Sequence, residues 1–358
     1  MAMYSLINAW CRLTLHAPTI CLAYNAPAWP GRGPCGRKGG RVVYKVLMNS
    51  PRVAGKEDYV RAFLRERGCE LIEHDRSRPL NSAEVLELVR DAHGYVPALT
   101  HVGAEVFDAA PGLRVVSAQG VGYDHIDAEE AARRGIVVCI CAGANNHAVS
   151  ELAFAFMLNL ARHIREADSA MREGGWPRLV GPELWGKTLG IVGLGRVGKS
   201  TALIGRGFGM RVLATDIKWD ITFADQNEIS YVPLARLLRE SDFLSLHCPL
   251  NDQTRGMIDE AALDVMKPSA FLINTARGPI VKESALVGAL RERMIAGAGL
   301  DVFETEPHPQ NPYVDMPNVM MMPHLGGTTF ESNERALELA LLNVTQVLNG
   351  GEPICRVN

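Results

Sequence analysis

The feature that most constrains the fold of this chain is a glycine-rich turn between two apolar runs. The turn reads GLGRVG over residues 193–198, and an apolar run at 189–192 leads into it. An amphipathic stretch at about 197–207 follows, and a second apolar run at 212–215 ends on Asp216. A strand, a glycine turn, a helix, a strand and an acid in this order are typical of a dinucleotide-binding βαβ unit.

Each part of this unit has a physical role in binding a dinucleotide. Gly193 permits the tight turn, Gly195 lets the backbone approach a pyrophosphate, and Gly198 lets the helix pack closely on the strand. The free N–H groups and the positive end of the helix dipole suit the phosphates. Asp216 stands where a carboxylate accepts both ribose hydroxyls and repels a 2′-phosphate, so we predict NAD rather than NADP. The alternative is a structural turn in another kind of α/β domain.

Composition limits the classes of partner. A chain of 358 residues suggests two domains at about 150 residues each. The net charge of −3 favours neither a nucleic acid nor a membrane surface as a partner. The eight cysteines are scattered without a CxxC pair, so we expect no disulfide framework, and Cys139 and Cys141 lack nearby ligands, so we expect no metal site. A reducing cytoplasm fits this use of cysteine best.

The first 41 residues differ from the rest of the chain. They hold five Arg or Lys residues and no acid, since the first acidic residue is Glu57, and residues 26–40 are dense in Gly and Pro. We expect residues 1–41 to be an irregular, disordered N-terminal extension. A transit peptide and upstream sequence translated from a misplaced start stay open as explanations.

Strand and helix patterns alternate along the remainder, which indicates an α/β fold with two Rossmann-like, doubly wound parallel sheets. We predict strands at 43–48, 70–72, 94–96, 113–117, 135–138, 189–192, 211–215, 243–247, 270–274, 297–302 and 319–322. A long apolar helix is expected over 150–171 with Ser150 as its N-cap, buried between domains or subunits. A closing helix at 328–348 is expected to return to the first domain. The predicted NAD-binding domain is therefore 147–325, inserted in a discontinuous substrate domain formed by 42–146 and 326–358.

Residues 181–188 match the phosphate-loop pattern GxxxxGK[ST]. A phosphate loop must follow a strand and open a helix, whereas here Pro182 interrupts the segment and a predicted strand comes next. We therefore interpret it as a tight entry into the nucleotide-binding strand and expect no NTP hydrolysis.

Three polar side chains follow successive predicted strands of the second domain. Ligands of open α/β sheets bind beyond the carboxyl ends of the strands, so Arg277, Glu306 and His324 should converge at one edge. Singly, each could be a surface cation, a loop carboxylate or a packed histidine. Together they suit hydride transfer to a 2-oxo acid. His324 would protonate the oxygen, Glu306 would raise the pKa of that imidazole, and Arg277 would grip the carboxylate and polarise the carbonyl.

Six motifs show that the chain, over about residues 43–350, resembles the D-isomer-specific 2-hydroxyacid dehydrogenase family. They are GVGYDHID at 120–127, GLGRVG at 193–198, HCPL at 247–250, NTARGPIV at 274–281, GLDVFETEP at 299–307 and PHLGGTT at 323–329. The resemblance implies a catalytic set of Arg277, Glu306 and His324, backbone N–H groups of Val121 and Gly122 on the substrate carboxylate, and a homodimer that closes a cleft between its domains. It also implies dinucleotide contacts from Gly193, Gly195, Arg196, Val197, Gly198, Asp216, His247, Cys248, Pro249, Thr275, Ala276, Arg277, Asp301, His324, Gly326 and Gly327.

The chain departs from some members of this family. Many phosphoglycerate dehydrogenases carry a basic residue soon after the strand at 94–96, where His101 is the nearest candidate here, which speaks against a phosphorylated substrate. A small 2-oxo acid such as glyoxylate or hydroxypyruvate is expected instead, and no C-terminal regulatory domain is expected after the closing helix.

Two alternative functions stay open: a non-catalytic NAD(H)-binding redox sensor or corepressor, and a phosphite dehydrogenase-like activity. The formate dehydrogenases that resemble the family pair the histidine with glutamine, so Glu306 speaks against that activity.

Overall fold

Parallel strands and helices alternate along the part of the chain that the structure, a computed structural model, describes: residues 43–50, 53, 55–98 and 100–358. The extension predicted at 1–41 lies outside the described residues. Within the described part, the first sheet has five parallel strands in the order β2-β1-β3-β4-β5. Its strands are β1 (Tyr44–Met48), β2 (Cys69–Ile72), β3 (Gly94–Val96), β4 (Val115–Ser117) and β5 (Val137–Cys139), with helices α1 (Glu57–Glu66), α2 (Ser82–Leu88), α3 (Ala104–Ala109) and α4 (Ala128–Arg133).

The second sheet carries the glycine turn and, in the described residues, has seven parallel strands in the order β12-β11-β10-β9-β6-β7-β8. They are β6 (Thr188–Val192), β7 (Arg211–Thr215), β8 (Ile229–Tyr231), β9 (Phe243–Leu246), β10 (Phe271–Asn274), β11 (Gly297–Leu300) and β12 (Val319–Met321). The helices that come after β5 in the chain are α5 (Asn146–Arg162), α6 (Ile164–Arg172), α7 (Arg196–Gly207), α8 (Ile221–Gln226), α9 (Leu234–Glu240), α10 (Glu260–Asp264), α11 (Glu283–Arg291) and α12 (Phe330–Leu348). The strand order reverses at β6, which pairs with both β7 and β9, so the glycine turn stands at the switch point where such sheets bind ligands. The predicted fold class is confirmed.

The apolar helix predicted over 150–171 is two helices, and its predicted N-cap is wrong. Helix α5 begins at Asn146, so Ser150 lies inside it, where its hydroxyl donates to the carbonyl of His147. A serine can satisfy its hydroxyl on a preceding turn as well as at a cap, and the sequence does not distinguish the two. His163 then adopts a left-handed conformation (φ 52°) that ends α5 before α6 begins.

Helix α5 packs on the second sheet through its apolar face. Phe156 and Met157 are buried with Ile191 and Ile273 in one core cluster. A Cβ on Gly299 in β11 would stand 2.6 Å from the Cβ of Phe156, so a glycine is required for the helix to lie this close. The helix thus packs against β10, β11 and β12.

The end of the chain packs against the first sheet. Val344 of α12 stands 2.6 Å from where a Cβ on Gly94 of β3 would be, and the C-terminal Asn358 accepts the N–H of Val138 through its side chain. The N–H of Val357 donates to Val138. The boundaries of the substrate domain, 42–146 with 326–358, and of the NAD-binding domain, 147–325, stay a prediction.

Candidate active site

The three side chains predicted as catalytic lie beyond the carboxyl ends of neighbouring strands. β10 pairs with β11 and β11 with β12, so the loops that follow them share one edge of the second sheet. His324 Nδ1 lies 2.6 Å from Glu306 Oε2. The structure therefore brings Glu306 and His324 into contact, on the sheet edge that also carries the Arg277 loop.

The Glu306–His324 pair is arranged to hold a proton on the imidazole. The hydrogen bond to Glu306 raises the pKa of His324, its negative charge adds to this, and burial opposes it. Burial by itself would raise the pKa of Glu306, but the hydrogen bonds from His324 and from the backbone N–H of Phe303, with the charges of His324 and Arg277, lower it overall. The pair therefore favours an imidazolium beside a carboxylate.

The backbone of His324 is held in an unusual conformation by Asp301. His324 has φ 54° and donates its N–H to the carbonyl of Asp301. The Asp301 carboxylate is buried and accepts the N–H groups of Leu325, at 2.7 Å, and Gly326, at 2.8 Å. Burial raises the pKa of this carboxyl, and the two N–H groups oppose the shift. The contacts of the Asp301 carboxylate support the turn that carries His324. The dinucleotide contact that the resemblance implies for Asp301 stays a prediction.

The loop that carries Arg277 is ordered by a buried amide that the sequence did not single out. Asn274, at the end of β10, accepts the N–H of Ala276 and donates to the carbonyl of Arg277 at 2.9 Å. Gly278 then packs on the neighbouring loop, since a Cβ there would stand 1.9 Å from the carbonyl carbon of Phe303. Both residues belong to the NTARGPIV motif, so the available signal was a polar side chain ending a buried strand and a glycine after the arginine.

Arg277 also reaches across to the loop that follows β4 of the first sheet. Its Nε donates to Asp124 Oδ2 at 2.9 Å, and its Nη1 donates to the carbonyl of Ala276. A Cβ on Gly122 would stand 1.8 Å from Nη2, so the guanidinium lies directly against that glycine. The family resemblance implies that Val121 and Gly122 contact the substrate, but it assigns no role to Asp124.

The glycine turn has the geometry that a dinucleotide requires. Gly193 has φ 92°, and a Cβ there would stand 2.7 Å from the Cys248 nitrogen, while a Cβ on Gly198 would stand 2.1 Å from the Gly193 carbonyl oxygen. At Gly195, by contrast, no described atom lies within 4 Å of the Cβ position. Within the described chain, no side chain caps the N-terminus of α7, so its first N–H groups stay available to an anion.

Other residues predicted at the dinucleotide lie around this turn. The Asp216 carboxylate accepts the N–H of Leu194 at 2.6 Å, which brings the acid next to the turn. Thr275 Oγ1 is buried and has no hydrogen-bond partner among the described residues. The His247–Cys248 backbone packs on Gly193, but the His247 ring bonds to Ser245 Oγ and burial lowers its pKa to about 3. His247 is therefore neutral and contributes to the site through its backbone.

Two properties of the described residues bear on other functions. No group of three or more His, Cys, Asp or Glu side chains in that part of the chain is placed to hold a metal ion. Among the helices that the structure describes, none combines the length and the apolar character needed to cross a membrane. The predicted cytoplasmic location stays a prediction.

An uncapped helix after a glycine turn, together with a histidine–carboxylate pair at adjacent strand ends, defines the class of a dinucleotide-dependent oxidoreductase. Residues 154–326 match the family model described as D-isomer specific 2-hydroxyacid dehydrogenase, NAD binding domain. The chain is 43% identical over 301 residues to a glyoxylate reductase of Thermofilum pendens, which covers 81% of this chain and 88% of that protein.

Solved structures agree with this assignment. A glyoxylate reductase from Paecilomyes thermophila superposes with a TM-score of 0.78 at 28% identity, covering 88% of this chain and 98% of that one. A D-lactate dehydrogenase from Aquifex aeolicus, complexed with NAD and lactic acid, gives 0.74 at 27% identity, covering 86% and 96%. The chain belongs to the D-isomer-specific 2-hydroxyacid dehydrogenase family. It is an oxidoreductase that binds NAD(H) and interconverts 2-oxo acids and D-2-hydroxy acids.

Proposed function

We propose that this enzyme reduces a small 2-oxo acid, glyoxylate or hydroxypyruvate, with NADH as its preferred cofactor. The observation that carries the proposal is the 2.6 Å contact between His324 and Glu306, on the sheet edge that also carries Arg277. Relatives that are about 40% identical are glyoxylate reductases, which supports a small substrate.

The residues of the site divide the chemistry between them. When bound, NADH supplies the hydride. Arg277 binds the substrate carboxylate and polarises the carbonyl, while the N–H groups of Val121 and Gly122 hold the other side of that carboxylate. Glu306 occupies Nδ1 of His324, so the proton leaves from Nε2 to the developing alkoxide. In the direction of oxidation the neutral His324 takes that proton back.

The dinucleotide would lie along the carboxyl edge of the second sheet. The pyrophosphate would meet the N–H groups at Gly195, Arg196 and Val197, and the adenosine ribose would meet Asp216. One carboxylate oxygen of Asp216 accepts the N–H of Leu194 and the other accepts the N–H of Lys218. Each oxygen keeps a second lone pair, which can accept a ribose hydroxyl. The nicotinamide end would be lined by Cys248, Pro249, Thr275, Ala276, Asp301, Gly326 and Gly327, with His247 behind them.

A substrate panel tests the activity. The purified protein is assayed with NADH and with NADPH against glyoxylate, hydroxypyruvate, pyruvate and a phosphorylated 2-oxo acid. We expect the highest kcat/KM with the first two substrates and NADH. His324→Ala should remove most turnover and leave NADH binding intact. Full turnover in that variant would refute the assigned acid.

The same assay separates the alternatives. NADH binding without turnover of any 2-oxo acid would favour a redox sensor or corepressor. NAD reduction with phosphite and no activity on 2-oxo acids would favour a phosphite dehydrogenase. Equal kcat/KM with both cofactors would contradict the assigned preference for NAD.

We also propose that the enzyme is a homodimer. An apolar strip follows α6, where Trp176 is 76% exposed, Val180 is 91% exposed and Trp185 is 73% exposed. Several large apolar side chains exposed within ten consecutive residues are typical of a protein–protein interface. Sedimentation of the wild type and of Val180→Asp tests this: we expect a dimer and a weakened dimer. A wild-type monomer would refute it.

A further inference from the structure

Asp124 stands at the point where the two sheets approach each other, outside the set of residues with an assigned role. It lies in the loop after β4 of the first sheet, whereas Arg277 lies in the loop after β10 of the second. The 2.9 Å bond from Arg277 Nε to Asp124 Oδ2 therefore links loops that belong to different sheets. A residue in this position can act on the orientation of the arginine.

The guanidinium of Arg277 is anchored on two of its three nitrogens. Nε is bound by Asp124, and Nη1 by the carbonyl of Ala276. Nη2 lies against Gly122, whose backbone is expected at the substrate carboxylate. Each Nη carries two N–H groups, so after Nε has donated to Asp124 and one Nη1 N–H to Ala276, one N–H on each of Nη1 and Nη2 remains. These two N–H groups form the edge that is left for a bidentate contact with a carboxylate.

We propose that Asp124 is a positioning residue: it fixes the plane of the Arg277 guanidinium so that the Nη1–Nη2 edge faces the substrate carboxylate. This inference rests on the role proposed above for Arg277. An exposed ion pair contributes little to stability, and the Asp124 side chain is 52% exposed, so stability does not explain the contact. The neighbouring His125 adds no charge here, because burial lowers its pKa.

The proposal predicts different effects for removing the acceptor and for removing only its charge. In Asp124→Ala the guanidinium loses one anchor, so we expect kcat/KM for glyoxylate to fall about 10- to 100-fold, as for a lost charge-assisted hydrogen bond. In Asp124→Asn the amide oxygen still accepts from Nε, so kcat should stay within about fivefold of the wild type. KM should be equal or lower in this variant, because the anionic substrate no longer competes with a carboxylate for the arginine.

A double-mutant cycle with Arg277→Ala gives the decisive measurement. If Asp124 acts through the arginine, Asp124→Ala should cause no further loss of kcat/KM in the Arg277→Ala background. Asp127→Asn is the matched control, since it changes a carboxylate of the same loop that caps α4 instead. NADH affinity and the thermal midpoint are measured on every variant, and we expect Asp124→Ala to leave both near the wild type.

The outcomes separate this inference from the proposed function. An inactive wild type would refute the function itself. An active wild type with a strongly reduced but measurable kcat/KM in Arg277→Ala, but with Asp124→Ala within about twofold of the wild type, would refute only the positioning role. An equal loss in both backgrounds, an equal loss in Asp127→Asn, or Asp124→Asn as impaired as Asp124→Ala would also overturn it.

Discussion

The pH dependence of reduction should be controlled by the carboxylate of Glu306, and Glu306→Gln tests this directly. The hydrogen bond and charge of Glu306 raise the pKa of His324, and in the proposed mechanism the protonated ring is the acid that reduction requires. A group with a raised pKa stays protonated to higher pH, so the reductive activity of the wild type should persist to higher pH and decline as pH rises through that pKa. Glutamine keeps an acceptor at the 2.6 Å position but removes the charge, so the decline should move to lower pH.

The size of the effect follows from the kind of bond that changes. A hydrogen bond to a charged group contributes about 1.5–3 kcal/mol and a neutral one about 1 kcal/mol, so the change removes about 0.5–2 kcal/mol. The His324 side chain is 45% exposed and that of Glu306 is 34% exposed, so solvent screening favours the lower part of this range. We therefore expect kcat/KM for reduction to fall about 3- to 10-fold at neutral pH. The deficit should shrink in acid, where both proteins carry a protonated imidazole.

The assay is the initial rate of NADH oxidation with glyoxylate from about pH 5 to about pH 10, which spans the ordinary range of imidazole titration. Glu304→Gln is the control, because it removes a carboxylate two residues earlier on the same loop. The rate of the reverse reaction, which needs neutral His324, should extend to lower pH in Glu306→Gln than in the wild type. A profile that keeps its wild-type midpoint, or a deficit that grows in acid, would refute the role of Glu306 as the group that holds the proton on His324.

Three further changes test other parts of the site. Asp216→Ala should weaken NADH binding about tenfold, as for a lost hydrogen bond to a charged group, and narrow the gap to NADPH in a fluorescence titration; an unchanged gap would contradict the role of the acid. Gly198→Ala should lower the thermal midpoint and abolish NADH binding, since its Cβ would stand 2.1 Å from the Gly193 carbonyl oxygen, and normal NADH binding would contradict the close packing. Asn274→Ala should lower kcat more than NADH affinity, because two hydrogen bonds that order the Arg277 loop are lost. Steady-state kinetics measures this effect, and an unchanged kcat would contradict the role of the amide.

The parts of the fold that follow from local pattern were predictable. β7 begins and ends at the predicted residues 211–215, because an apolar run is bounded by a polar residue at each end. The strand β8 was not predicted, since only Ile229 of its three residues is buried and it lies at the edge of the sheet. A strand this short and half exposed leaves no periodic signal.

The residues of the candidate site that topology brings together could be predicted from the sequence. The residues that only a tertiary contact brings to the site could not. Arg277, Glu306 and His324 follow from the rule that polar residues after parallel strands meet at one edge. Asp124 does not follow from that rule, because its contact depends on how the loop of one sheet lies over the loop of the other. Gly278 shows the same limit, since its need for glycine comes from the 1.9 Å approach of a backbone 25 residues away in the sequence, at Phe303.

Asp301 is a residue whose place at a strand end follows from topology and whose hydrogen bonds follow from tertiary contact. The family resemblance implies that Asp301 contacts the dinucleotide, and in the structure its buried carboxylate binds the N–H groups of Leu325 and Gly326. A non-glycine residue in the left-handed region costs about 1–3 kcal/mol, and His324 at φ 54° is such a residue. Two charge-assisted hydrogen bonds, at about 1.5–3 kcal/mol each, are sufficient to hold that conformation. We therefore expect Asp301 to hold the proposed acid, His324, in place through the backbone of its turn. This role is independent of the contact with the cofactor that is proposed for the same residue, so a polar side chain at a strand end can serve a site through the backbone alone.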